Sequence, residues 1–346
     1  NRRDFMKTSA VAGTAILSSG AASANTDTDG LDHRNERPDR MAYAKLGRTN
    51  FMCSKLVFGA GAALAGGRGV RLLERSFENG INHYDIGYDD YYKGSEKSIK
   101  AFANRHRDEI WITSKAPARG GIGAGANLDY NVAMAKADAE FWLKEIDKSL
   151  TNMGVDYIDA YYLMMVGNPK AIRSEELYNA FLKAKDAGKV GYWGLSTHLR
   201  AHECLEVAIE TGWYDLAMVA ITPAGWYDTV TSKFVAEQGT MKTLRPFLDK
   251  ARSAGIGLVG MKAARHIALN PYEGMASGVL GPTGADPSLY DTHYDEKLMN
   301  SGLNPFQRSY AYVLANGMDV VNSDMQNFKH FEENIIAARD ANTHFA

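Results

Sequence analysis

What this chain lacks narrows it first. Cysteine is nearly absent, with two residues in 346, Cys53 and Cys204. They could pair in an oxidising compartment, but one precedes the first barrel strand and the other lies in a helix far along the chain. Two buried thiols acting as small apolar side chains are expected instead. No apolar run reaches the roughly eighteen residues that a membrane helix needs. Neither sign of charge dominates: the net charge is −2, which gives no electrostatic case for nucleic acid. There is no internal repeat, and no G-x-G-x-x-G follows the first strand, which counts against a doubly wound sheet.

What is present begins with Asn1-Arg2-Arg3-Asp4-Phe5-Met6-Lys7, followed by a weakly apolar run from Thr8 to Ser19 and the small residues Ala22-Ser23-Ala24. A charged region, an apolar region and an A-x-A site make an export signal, and the paired arginines point to the twin-arginine route and a periplasmic destination. Residues 1–24 are therefore read as signal and 25–41 as a polar linker, which has almost no apolar side chains. Residues 42–346 are read as one large domain. Membrane association is expected only if the signal stays uncleaved. A hydrophobic content of 45% supports a sizeable core.

From Lys55 onward short apolar runs alternate with amphipathic stretches. Strands are expected at Leu56–Phe58, His83–Ile86, Ile110–Ser114, Tyr157–Leu163, Tyr192–Leu195, Leu216–Ile221, Gly257–Met261 and Asp319–Val321. Helical patterns fill the intervals, and Phe141, Trp142, Ile146 and Leu150 show the spacing of one buried face. Gly80, Gly154, Gly188, Gly212 and Gly255 follow helix ends, where a left-handed residue stops a helix. Eight such units predict an α/β fold, a (β/α)8 TIM barrel, with Ala42–Asn50 as a hairpin closing the barrel floor. Chemistry in such a barrel sits at the carboxyl ends of the strands. Those ends carry Asp85, Lys115, Met164-Met165, Ser196-Thr197-His198, Met218, Lys262 and Asn322.

Ala44–Thr49 with Leu56–Gly59, Gly80–Asp85 with Ser95-Glu96, Trp111–Lys115, Asp156–Leu163, Gly188–Ser196 and Glu333-Asn334 together resemble the aldo-keto reductases. The resemblance runs from Met41 to Ala341, and its nearest flavour is an exported branch carrying Ser-Thr-His after the fifth strand. It implies carbonyl reduction with NADP or NAD. A tyrosine is the proton donor, Lys115 and Asp85 tune it, and a histidine orients the carbonyl. It also implies that Ser196, Thr197, Lys262, Glu333 and Asn334 hold the cofactor.

Several positions depart from that pattern. Counted forward from Asp85, the tyrosine position falls on Asp90, with Tyr88, Tyr91 and Tyr92 close by. Three readings stay open: a protonated Asp90 carboxyl, a one-residue shift that brings in Tyr91, or a solvated loop. The histidine position is Met164 and the nicotinamide-amide position is Met218, neither with a donor. The 2′-phosphate positions fall on Asp324 and His330. His198 is a candidate substitute acid or base. Methionines could hold soft Cu(I), but core filling is the commoner use, and no metal is expected. Two functions follow: an exported oxidoreductase with an altered proton donor (Asp85, Lys115, Tyr91, His198) acting on a small molecule, or a barrel without cofactor that binds a protein partner. In either case Pro271–Leu303 would cover the mouth.

Overall fold

Short runs rich in Val, Ile and aromatic residues pair side by side, and the amphipathic stretches between them fold back as helices that bury their apolar faces on the strands. The computed structural model describes residues 30–122, 128–267, 285–323 and 325–340, and the account below concerns the unit from Asp32 onward. Strands β1 (Tyr43–Lys45) and β2 (Met52–Ser54) form an antiparallel hairpin. The barrel strands are β3 (Leu56–Gly59), β4 (His83–Asp85), β5 (Trp111–Pro117), β6 (Ile158–Met164), β7 (Val190–Thr197), β8 (Leu216–Thr222), β11 (Gly257–Met261) and β12 (Val320–Ser323). All eight are parallel, and β12 pairs back to β3 to close the cylinder. Two short strands, β9 (Gly225–Asp228) and β10 (Lys233–Phe234), run antiparallel as an extension of β8.

Among the described residues the eight longer helices are α1 (Arg71–Glu78), α2 (Ser95–His106), α3 (Val132–Met153), α4 (Glu175–Asp186), α5 (Ala201–Thr211), α6 (Met241–Ser253), α7 (Pro305–Ala315) and α8 (Phe328–Arg339). α3 shows the local logic. Its first turn is capped by Asn131, whose side chain accepts the Met134 N–H, and Gly154 ends it at φ +66°. Between them Trp142 is fully buried, edge-on to Tyr161 and Trp193 at 5.1 and 5.0 Å. Each large side chain buried this way contributes about 1.5–3 kcal/mol. None of the helices described is long and apolar enough to cross a membrane.

The floor differs from expectation in two respects. The closing hairpin extends beyond Asn50 to Ser54, and its plug is Phe51, stacked 4.7 Å from Trp111. Residues 32–41, expected as linker, pack on the barrel: buried Arg34 donates to the Ile110 carbonyl at 2.9 Å and to Asp159 Oδ1 at 2.8 Å. Local polarity suggested a tether because the partner carboxylate lies on β6, far along the chain. Both thiols are free and buried, Cys53 beside His83 and Cys204 on α5. The expected signal 1–24, residues 25–29, Asp324 and residues 271–284 of the expected mouth insertion lie outside the described residues. The described remainder of that insertion is anchored at Tyr290, whose hydroxyl donates to the Arg265 carbonyl at 2.7 Å.

Candidate active site

Lys115 lies within β5, and the next strand end round the barrel, β4, brings Asp85 beside it. The ammonium donates to both Asp85 oxygens at 2.6 and 2.8 Å and to the Ile86 carbonyl at 2.6 Å. Both side chains are almost fully buried. Burial pushes the Asp85 carboxyl above its ordinary range, and Lys115 and Asn322 oppose that rise. Asn322, at the end of β12, donates its amide to Asp85 Oδ2 at 2.6 Å. Asp85 is thus gripped from two sides, and Lys115 is held in one place.

The turn after β4 departs from expectation. Tyr91 is 41% exposed, and burial raises its phenol. Asp90 is exposed too, bonded to Lys148 at 2.7 Å and to the Tyr88 hydroxyl at 2.9 Å, which hold its carboxyl below the ordinary range. An ionised Asp90 has no proton to give, which overturns the carboxylic-acid reading. Asp89 is buried and accepts the Glu96 N–H at 3.1 Å, steadying the start of α2.

The tyrosine that enters the mouth is Tyr92. Its ring lies where side chains at Gly87 and Gly61 would otherwise stand: a Cβ at Gly87 would come within 2.2 Å of the ring and one at Gly61 within 3.1 Å. Tyr91 packs edge-on against the outer side of that ring, at 4.8 Å. A forward count from Asp85 misses Tyr92 because it presumes a turn of fixed length. The two ring-clearing glycines are the signal that counting overlooks.

Tyr92, Asp85 and Lys115 line one cavity of about 600 Å³. Ser196, His198, Lys262, Glu333 and Asn334 line it as well, whereas Tyr91 and Thr197 do not. Thr197 is buried, and its hydroxyl donates to the Leu199 carbonyl at 2.6 Å. Met164 and Met261, at strand ends, and Met218, within β8, form donor-free wall. Toward α8 the lining changes to Asn327, His330 and Glu333. The Asn334 amide is already committed to Ser323 Oγ at 2.6 Å, so it serves the β12–α8 junction.

Backbone strain gathers at this mouth. Met165, Lys262 and His266, all beyond barrel strand ends, have φ of +55°, +67° and +64°. Non-glycine residues persist in that region only where surrounding structure holds them, which is common at functional sites. The Lys262 turn is braced by Arg265, whose Nε donates to the Tyr227 hydroxyl of β9 at 3.2 Å. His198 is held from the same side: its carbonyl accepts the Thr229 N–H at 2.9 Å, and its Nδ1 lies 3.3 Å from Thr229 Oγ1. Desolvation, reinforced by Lys262, Lys115 and Arg265, drives the imidazole pKa down to about 3. His198 is therefore neutral at ordinary pH, which removes it as a general acid.

Residues 67–338 match the model of the aldo/keto reductase family. The chain belongs to that family. Among curated proteins it is 27% identical over 178 residues to L-glyceraldehyde 3-phosphate reductase of Escherichia coli strain K12, covering 47% of each chain. It is 31% identical over 163 residues to an uncharacterised oxidoreductase of Bacillus subtilis, covering 45% of this chain and 49% of the relative. The matches thus span about half the length of these relatives. A putative aldo-keto reductase structure from Pseudomonas aeruginosa superposes with a TM-score of 0.58 at 20% identity, over 86% of this chain and 94% of the other. An aldo-keto reductase of Bacillus halodurans in its holo form gives 0.58 at 20% identity, over 86% and 90%. At that identity the likeness establishes the barrel. The expected barrel and family both hold.

Proposed function

We propose that this aldo/keto reductase is an exported carbonyl reductase that uses Tyr92, rather than Tyr91, as its proton donor. The observation that carries the reading is the seating of the Tyr92 ring on two glycines, inside the cavity that holds the Lys115–Asp85 pair. As charge develops on a carbonyl oxygen, the phenol supplies the proton, and the fixed Lys115 ammonium favours the phenolate left behind. Asp85 and Asn322 keep the ammonium from wandering. The match across about half the length of a relative named for reducing a phosphorylated aldehyde supports this reaction type.

The donor set suits a nicotinamide dinucleotide, which when bound supplies the hydride. The cavity volume falls within the roughly 300–1,000 Å³ usual for small-molecule sites. Ser196 offers a hydroxyl among the strand ends. His330, in the first turn of α8, faces the cavity where a helix N-terminus capped by Asn327 favours anionic groups. Met218 gives the nicotinamide amide no partner, and the Asn334 amide is already spent on Ser323, so NAD or NADP is held by fewer bonds than the family pattern implies. The twin-arginine start supports export in the folded state with the dinucleotide aboard. The reading of a non-catalytic barrel leaves the cleared space under Tyr92 without a purpose.

Protein purified from the periplasm should carry nicotinamide, detectable by mass spectrometry. It should also consume NADH or NADPH when given small aldehydes. Protein that emerges empty, with no melting shift from either dinucleotide, would refute the proposal.

A further inference from the structure

We propose that the Nε2–H of His198 orients the substrate's carbonyl oxygen, the task left without a donor at Met164; this rests on the carbonyl-reductase reading above. The methionines of the cavity lining leave part of its wall without donors. Met164 and Met261 end two of the strands, Met218 lies within a third, and none of the three offers a donor. Two of the polar groups are already committed. Lys115 spends its ammonium on Asp85 and the Ile86 carbonyl, and Asn322 spends its amide on Asp85. His198 lines the same cavity from the turn after β7, next to the β6 end where Met164 stands.

The ring is positioned for donation. The β9–β10 hairpin fixes the residue twice through Thr229, at the backbone carbonyl and at Nδ1. If the Thr229 hydroxyl donates to Nδ1, the ring proton resides on Nε2, the atom left to the cavity. The charged groups acting on the imidazole are the cations Lys262, Lys115 and Arg265. Together with desolvation they disfavour imidazolium, so the ring polarises a carbonyl as a neutral donor and keeps its proton. The hairpin acquires a role in this account: it carries the residue that holds the donor.

The test combines an NMR experiment with kinetics on the full chain. With 15N-labelled histidine, the His198 resonances are assigned by their loss in His198→Gln. The expected result is the Nε2–H tautomer with no titration between about pH 5 and 8. An Nδ1–H tautomer, or titration near the ordinary value, overturns the inference whether or not the protein is a reductase. In protein loaded with reduced dinucleotide and given an aromatic aldehyde, His198→Leu should lower kcat/KM for the aldehyde about 100-fold. Dinucleotide affinity and the shape of the pH profile should not change. His198→Gln, which keeps an N–H, should recover at least several-fold of that loss, and Thr229→Val should fall between. Equal losses in the Gln and Leu variants indicate a structural role and overturn the inference. An active wild type with an undiminished His198→Leu overturns it alone. A wild type that reduces no carbonyl overturns the reading beneath it as well.

Discussion

At the scale of single residues, the site turns on which tyrosine enters the mouth. Tyr92→Phe should abolish most carbonyl reduction, by about 10²–10⁴ in kcat, and leave dinucleotide binding intact, whereas Tyr91→Phe should be near neutral in steady-state assays. Gly87→Ala offers an independent check. Its backbone accepts alanine, but the new methyl would meet the Tyr92 ring at 2.2 Å. The ring must leave, so the loss should approach that of Tyr92→Phe; an active Gly87→Ala with the ring in place by crystallography contradicts the seating. Asn322→Leu removes the second grip on Asp85 and leaves Oδ2 to Lys115. The expected outcome is a displaced alkaline limb in the pH–rate profile, with Asn322→Gln partly restoring it; an unchanged profile in the Leu variant assigns Asn322 to packing alone.

Lys115 and Asp85 were legible because each sits in a recognisable strand run, and strand ends are where barrels place chemistry. Tyr92 was not, because its place depends on space left by Gly87 and by Gly61, which lies in the short helix Ala60–Leu64 after β3. Asn322 was read as a strand end without its partner, because Asp85 lies 237 residues earlier and meets it only when β12 closes on β3. His198 was read at its strand end but as an acid or base; the burial and the cations that lower its imidazole pKa exist only in the folded chain.

Among elements, the strand run of the barrel was readable from apolar patterning, and the ends shifted only slightly: β5 continues past Ser114 to Pro117, and β7 past Leu195 to Thr197. The β9–β10 hairpin was not foreseen, since strands of four and two residues are too short to show alternation. One contact between elements has a pH signature. Asp319, just before β12, accepts the Leu258 N–H of β11 at 2.8 Å, and burial pushes its carboxyl up to about 6. An unfolded aspartate titrates near 3.9. The folded state therefore keeps a proton that the unfolded chain has lost, and this group's contribution to stability is complete below about pH 4 and disappears as pH rises through about 6. The difference amounts to about 3 kcal/mol. Asp319→Asn should flatten this part of the stability profile, measured as urea midpoints from pH 4 to 7; parallel profiles for wild type and variant contradict the assignment.

For the whole molecule, closure of the floor decides whether residues 32–41 are appendage or part of the fold. Arg34 bonds the buried Asp159 and lies over Phe51 and Trp111, with its guanidinium carbon 5.3 and 5.5 Å from the ring centres. Arg34→Met takes one cation from that carboxylate, which keeps Arg107 at 2.9 Å and the Ile112 N–H at 2.8 Å, and should cost up to about 3 kcal/mol in equilibrium unfolding. Site geometry should survive at low temperature, because the mouth lies at the opposite end of the strands. A truncation after residue 41 that unfolds no more readily than the full chain would show the segment to be a tether after all. The central claim is that the mouth of this barrel reduces carbonyls through Tyr92, and the most direct measurement is single-turnover oxidation of bound reduced dinucleotide by an aldehyde in wild type and Tyr92→Phe. The account predicts rapid oxidation in the wild type and a nearly silent, still fully loaded variant; equal rates in the two would contradict it.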